Sequence, residues 1–190
     1  MNQFRGGGSL VLTDHTKLPL ISPKEEKGTD MFSIRPYEKS DYPSIMAYDL
    51  PQEQAIYTSM PVDVIEATQN NPGYKPYVVF DQGHLIGFFA LFTPHTGNPY
   101  TPNGEAVIFK SFSIDSRYQK KGYALRVFHE LADIARVHYP ERDEIVLTVH
   151  HTNTPAIQLY KKAGLVDQGW RFAGEFGEEL IFHLDLTAST

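Results

Sequence analysis

The chain has 190 residues, 41% hydrophobic and 21% charged, which suits one compact domain, or one domain plus a tail, and excludes a wholly disordered or collagen-like chain. It holds no cysteine, so disulfides, thiolate metal sites, iron–sulfur clusters and a cysteine nucleophile are all excluded. The net charge of −6 argues against nucleic-acid or anionic-membrane partners, no apolar run reaches the ~20 residues of a membrane helix, and a cytoplasmic location is the expectation.

Residues 1–30 read as a flexible N-terminal extension, with a single domain at 31–190. Gly6-Gly7-Gly8-Ser9 is linker-like, and 13–30 shows no periodicity. The glycine run has no strand before it and no helix after it, so it does not read as a phosphate loop. A short strand is predicted at about 32–35, a helix over 40–50 and a second over 61–69. Strands at 77–80 and 84–92 flank Asp81-Gln82-Gly83 and form a hairpin. Three prolines and two glycines make 93–104 a loop, followed by a strand at 105–114. Ala124, Val127, Phe128, Leu131, Ile134 and Ala135 recur at helical spacing, giving a long helix over 122–139 that Pro140 stops. The apolar run 145–149 reads as a strand buried on both faces. Thr154-Pro155 opens a helix to 163, Gly164 closes it, and strands at 166–172 and 180–186 follow. The order β-α-α-β-β-β-α-β-α-β-β defines one α+β domain with a mixed sheet.

Charge is unevenly spread. Lys110, Arg117, Lys120, Lys121 and Arg126 face Asp115 alone between 110 and 126, a net of +4, which leaves −10 for the rest of the chain. The island lies where a strand ends at Ile114 and a helix begins at Gly122. Free N–H groups at a helix start attract anions, Gly122 permits close backbone approach, and the cations can pair with phosphate. A phosphate or pyrophosphate ligand is the expectation.

The residues Gln119-Lys120-Lys121-Gly122-Tyr123-Ala124 resemble the Q/R-x-x-G-x-G/A pyrophosphate loop of the GNAT family of N-acetyltransferases. A second segment, from Asn153 through Ala156, Tyr160 and Gly164 to Leu165, resembles that family's N-x-x-A-x-x-L-Y-x-k-x-G-F segment. Lys120 stands where many members have glycine, and Leu165 replaces the usual phenylalanine. The resemblance implies a GNAT fold: a mixed, mostly antiparallel sheet of about six or seven strands, flanked by helices and splayed at an acetyl-CoA site. It implies cofactor contacts from the backbone of Phe112 and Ile114, from Gln119, Lys120, Lys121, Gly122, Tyr123 and Ala124 around the pyrophosphate, and from Asn153 on the cofactor arm.

It also implies acetyl transfer to the primary amine of a small molecule. A free amine has a pKa of about 10, so a proton must leave before attack. Tyr160 is the expected donor to the leaving thiolate, with a core tyrosine as the alternative. Glu105 is the candidate base; His150, His151 or water are the others. The Phe112 N–H is expected to polarise the carbonyl. Adjacent histidines on a strand are expected on opposite faces, and no metal is predicted. Without cysteine, direct attack is the expected route. Gln54, Tyr57, Glu105 and residues 170–179 are expected to wall the acceptor pocket. Glu175, Glu178 and Glu179 favour a cationic acceptor, and residues 50–57 and 103–105 look like bacterial diamine and polyamine acetyltransferases. A protein or peptide acetyltransferase and a non-catalytic acyl-CoA-binding module are the alternatives. The last strand is expected to be exposed and able to pair into a homodimer.

Overall fold

The structure, a computed structural model, describes residues 31–54 and 56–188; the extension expected at 1–30 lies outside them. Among the described residues there are seven strands: β1 (Ser33–Pro36), β2 (Tyr74–Asp81), β3 (His84–Phe92), β4 (Ala106–Ile114), β5 (Glu144–His150), β6 (Val166–Gly174) and β7 (Gly177–Asp185). The helices are α1 (Tyr42–Met46), α2 (Pro61–Thr68), α3 (Tyr123–His138) and α4 (Thr154–Lys162). The strands form one sheet in the order β1-β2-β3-β4-β5-β7-β6. Only β4 and β5 run parallel.

Strand β3 explains the centre of the sheet. Its residues from Leu85 to Leu91 are buried, because helices cover both faces. Gln82 and Gly83 both take positive φ, as a two-residue hairpin turn requires, and join β2 to β3. Gly87 is needed for strand approach: a Cβ there would lie 2.9 Å from Cδ1 of Ile114 on β4. On one face, Val127, Phe128, Leu131 and Ala135 of α3 and Tyr160 of α4 pack on Val107, Phe109, Ile145, Leu147 and Phe182. On the other, Ile45, Val64 and Ile65 pack on Val78, Phe88 and Ala90. A smaller cluster of Ala106, Ile108 and Val146, with Phe92 and Tyr100, fills that face under the 93–104 loop.

Two expectations change. The helix predicted over 40–50 is only a 3-10 turn at Lys39–Asp41 and the five-residue α1. Main-chain groups just beyond α1 serve another contact: the Asp49 N–H donates to Asp115 at 3.0 Å, and Ala47 O accepts from Arg117 at 2.9 Å. The last strand is not an edge either. β7 lies between β5 and β6, so among the described strands the edges are β1 and β6.

Candidate active site

Strands β4 and β5 pair only at Ala106↔Glu144, Val107↔Ile145 and Ile108↔Val146. Beyond them β4 keeps to β3 and β5 keeps to β7, so the sheet splays. A bulge marks the divergence: the β3–β4 register shifts between Phe88 and Ala90, and Ser111 takes φ +55°. The β5-facing edge of β4 around Phe112 and Ile114 therefore has no strand partner. Ile114 also spends its carbonyl on the Gln119 side chain, at 2.8 Å.

The splay opens at the start of α3. Lys120 and Gly122 have φ of +61° and +86°, which turn the chain into the helix, and Gly122 caps it with no side-chain hydrogen bond. Among the described residues, no acceptor meets the main-chain N–H groups of residues 120–125. These are open donors at the positive end of a 16-residue helix, an arrangement suited to a diphosphate. Gln119 differs from the expectation. Its N–H goes to Ser116 O at 3.4 Å, and its amide pairs reciprocally with Gln54 at 2.9 and 3.1 Å. It links the loop to the 51–57 segment. The Tyr123 hydroxyl donates to Asp81, which leaves its main chain for an anion.

The basic island separates into different jobs. Arg117 grips Asp115 at 2.5 and 2.8 Å and is not a phosphate ligand here. Arg126 lies 3.8 Å over the Phe32 ring and pairs with Glu130 at 3.3 Å. Lys110 stands on β4, away from the loop. Lys120 and Lys121 remain exposed beside the open N–H groups, with Lys121 lying 5.1 Å over the Tyr118 ring.

Asp115 was not read as a site residue from sequence. It is fully buried and accepts from the N–H groups of Asp49 and Arg117 as well as from the Arg117 guanidinium. Burial alone would raise its pKa, but these donors outweigh burial and hold it below the ordinary carboxylate range. Ser116 adds its N–H to Asp49 O at 2.9 Å, and its hydroxyl bonds the Asp49 carboxylate. The spacing of a strand-end Asp two residues before an Arg was the available signal.

Tyr160 sits in α4 at 8% exposure. Its ring packs against Phe128 (5.1 Å) and Phe182 (5.7 Å), and Phe128 meets Phe112 at 5.2 Å. One aromatic ring thus separates Tyr160 from the splayed edge of β4. Among the described residues its hydroxyl has no hydrogen-bond partner. Burial pushes its pKa up, so the phenol keeps its proton well above neutrality. Asn153 caps α4, its side-chain oxygen accepting from Ala156 N at 3.3 Å. Its NH2 group makes no bond among the described residues and can serve a ligand.

The structure does not bring Glu105 to this constellation. It precedes β4 at the closed end of the splay, is exposed, and pairs with Arg142 at 2.8 Å. The histidines also differ from expectation. His151 lies past the end of β5, in a turn, so the two rings lie together with centroids 4.5 Å apart. Among the described residues, no three His, Cys, Asp or Glu side chains group as a metal site. His150 must donate from Nε2 to Phe176 O (2.9 Å), and its Nδ1 faces the Thr152 hydroxyl at 2.7 Å. His151 must donate from Nδ1 to Glu178 O at 3.0 Å, which leaves its Nε2 open. Tyr57, expected on the acceptor wall, lies here: its ring is 6.2 Å from His150 and its hydroxyl 3.5 Å from Thr152 Oγ1.

Comparison with known proteins places the chain. The family described as "Acetyltransferase (GNAT) family" matches residues 40–165. The chain is 31% identical over 156 residues to the uncharacterized N-acetyltransferase YbbJ of Bacillus subtilis (strain 168), covering 82% of this chain and 98% of that one. It is 29% identical over 143 residues to the spermine/spermidine N(1)-acetyltransferase of the same organism, covering 74% and 85%. Aminoglycoside acetyltransferase AAC(6')-Ib, solved with coenzyme A and kanamycin, shares the fold with a TM-score of 0.66 at 15% identity, over 81% of this chain and 94% of that one. The protein belongs to the GNAT family and is an N-acetyltransferase. Among the described residues, no helix is long and apolar enough to cross a membrane.

Proposed function

We propose that the protein transfers an acetyl group from acetyl-CoA to the primary amine of a small acceptor by direct attack. The observation that carries this reading is the unpaired β4 edge beside the open N–H groups of 120–125, with the Tyr160 phenol, which has no hydrogen-bond partner among the described residues, one aromatic ring away. The pyrophosphate rests on those N–H groups, with Lys120 and Lys121 beside it. The pantetheine arm runs along the main chain near Phe112 and Ile114, and Asn153 offers its NH2 group. The acceptor amine arrives as a cation, which the acidic Glu175, Glu178 and Glu179 favour, and it must lose a proton before it attacks. Of the groups considered, His151 keeps a ring nitrogen open, so it serves as base directly or through water. The amine attacks the thioester carbonyl, whose oxygen is held by main-chain N–H at Phe112. As the C–S bond breaks, Tyr160 gives its proton to the departing thiolate.

The test is coenzyme A release with acetyl-CoA and a panel of diamines, polyamines, amino acids and peptides. Turnover with small amines is the expected result. Turnover confined to peptides would overturn the small-acceptor assignment, and tight acetyl-CoA binding without any turnover would overturn catalysis.

A further inference from the structure

Lys110 belongs to the basic island in sequence, yet the phosphate loop does not use it. It follows the last β4–β5 pair by two residues, at the start of the splay. Val107 and Phe109 point into the α3–α4 core, whereas Ala106 and Ile108 face the other side. Alternation puts Lys110 on that second face, across the sheet from α3.

Its surroundings are unusual for a surface lysine. The side chain is half-buried, and its ammonium lies 5.6 Å from the Tyr74 ring centroid and 5.8 Å from that of Phe92. These two rings stack at 4.1 Å. Among the described residues, its one side-chain hydrogen bond goes to a neutral group, the Tyr74 hydroxyl at 3.3 Å. Among the described residues no carboxylate lies within 4 Å of it, although the chain carries 23 acidic residues against 17 basic ones. On the same face, Tyr100 of the 93–104 loop packs against the cluster around Ile108 and meets Phe172 of β6 edge-on at 4.9 Å. A half-buried cation beside neutral rings, with N–H donors to spare and no carboxylate near, is available to an anion.

We infer that Lys110 is an anion subsite for the acceptor, which is a short amine that also bears a carboxylate. This rests on the acetyl-transfer reading and deepens it by naming the acceptor class. The carboxylate takes the open ammonium donors while the amine reaches the splay. One ammonium over an uncharged floor matches a monoanion better than a phosphate, which calls for several cations. The same ammonium repels a polyamine, whose charges are all positive.

The experiment measures KM and kcat for amino acids, for their carboxamides and for spermidine, in the wild type and in K110M. A charge-assisted hydrogen bond is worth about a factor of ten or more, so amidation should raise KM at least that much in the wild type. In K110M the free acid and the amide should differ by less than about twofold, with acetyl-CoA affinity unchanged. Equal KM for acid and amide in the wild type, or spermidine as the better substrate, overturns the subsite while leaving acetyl transfer standing. Absence of coenzyme A release with every amine would instead remove the acetyl-transfer reading.

Discussion

Tyr160 carries two properties that rarely coincide in a core tyrosine. Its ring is buried among Phe128 and Phe182, but its hydroxyl has no hydrogen-bond partner among the described residues. A buried phenol kept only for packing loses little when the oxygen is removed, since no hydrogen bond is broken. A phenol kept for proton transfer loses rate. Y160F is therefore expected to change folding stability by less than about 1 kcal/mol, while kcat falls about a hundredfold or more, in the range of general-acid contributions. Acetyl-CoA affinity should hold within about twofold. Denaturant unfolding and steady-state kinetics on the same preparation check this, and an unchanged kcat would return Tyr160 to the core.

The junction between β4 and α3 is built around Asp115. It fixes the turn at residues 116–118 and ties it to residues 47–49, so the β4–α3 loop and the segment after α1 share one anchor. Gln119 and Gln54 add a second tie. D115N keeps the shape and weakens the charge-assisted bonds, which should cost about 2 kcal/mol at neutral pH. The pH dependence has a definite sign. The folded-state carboxyl is held below its ordinary value of about 3.9, so its stabilisation is complete above that value. The stabilisation is lost as pH falls through the lower folded-state value. Denaturation midpoints from pH 7 to pH 2 should show a steeper acid decline for the wild type than for D115N. Parallel profiles would show that Asp115 does not supply this linkage. The anchor also explains why the first helix is shorter than its sequence pattern predicts. The pattern from Ser40 to Leu50 suits a helix, but tertiary bonds to Asp115 and Arg117 claim the main chain at 47–49.

At the scale of the whole molecule, the elements with strong periodicity were legible: β3 and α3 lie within a residue of expectation, because each buries an unbroken face. The open N–H cradle was legible from the strand-end, cation-rich loop and Gly122. What sequence could not supply was the partner of each charge. Arg117 and Lys110 look equivalent along the chain; one is spent on a buried carboxylate and the other lies over aromatic rings. Glu105 precedes β4 at the paired end of β4 and β5, and nothing local says which end of a parallel pair splays. The histidine rings meet because the strand stops at His150, a boundary set by pairing with β7.

The same geometry makes a prediction for folding. Seated in the splay as proposed, acetyl-CoA would touch β4, the start of α3 and the start of α4 at once, segments brought together only in the folded sheet. It therefore binds the native state alone and stabilises it by RT ln(1 + [L]/Kd). At a hundredfold excess over Kd that is about 2.7 kcal/mol. For a chain of this size each kcal/mol moves the midpoint by about 2–4 °C, so acetyl-CoA should raise Tm by about 5–10 °C. Pantetheine lacks the phosphates and should give a smaller shift at equal concentration. The double variant K120E/K121E should lower the acetyl-CoA shift at fixed concentration and leave the pantetheine shift alone, because only the former meets the open end of α3. Loss of both shifts together would mean that the charges act on the fold and not on the phosphates. Equal retention of both would place the pyrophosphate away from residues 120–125.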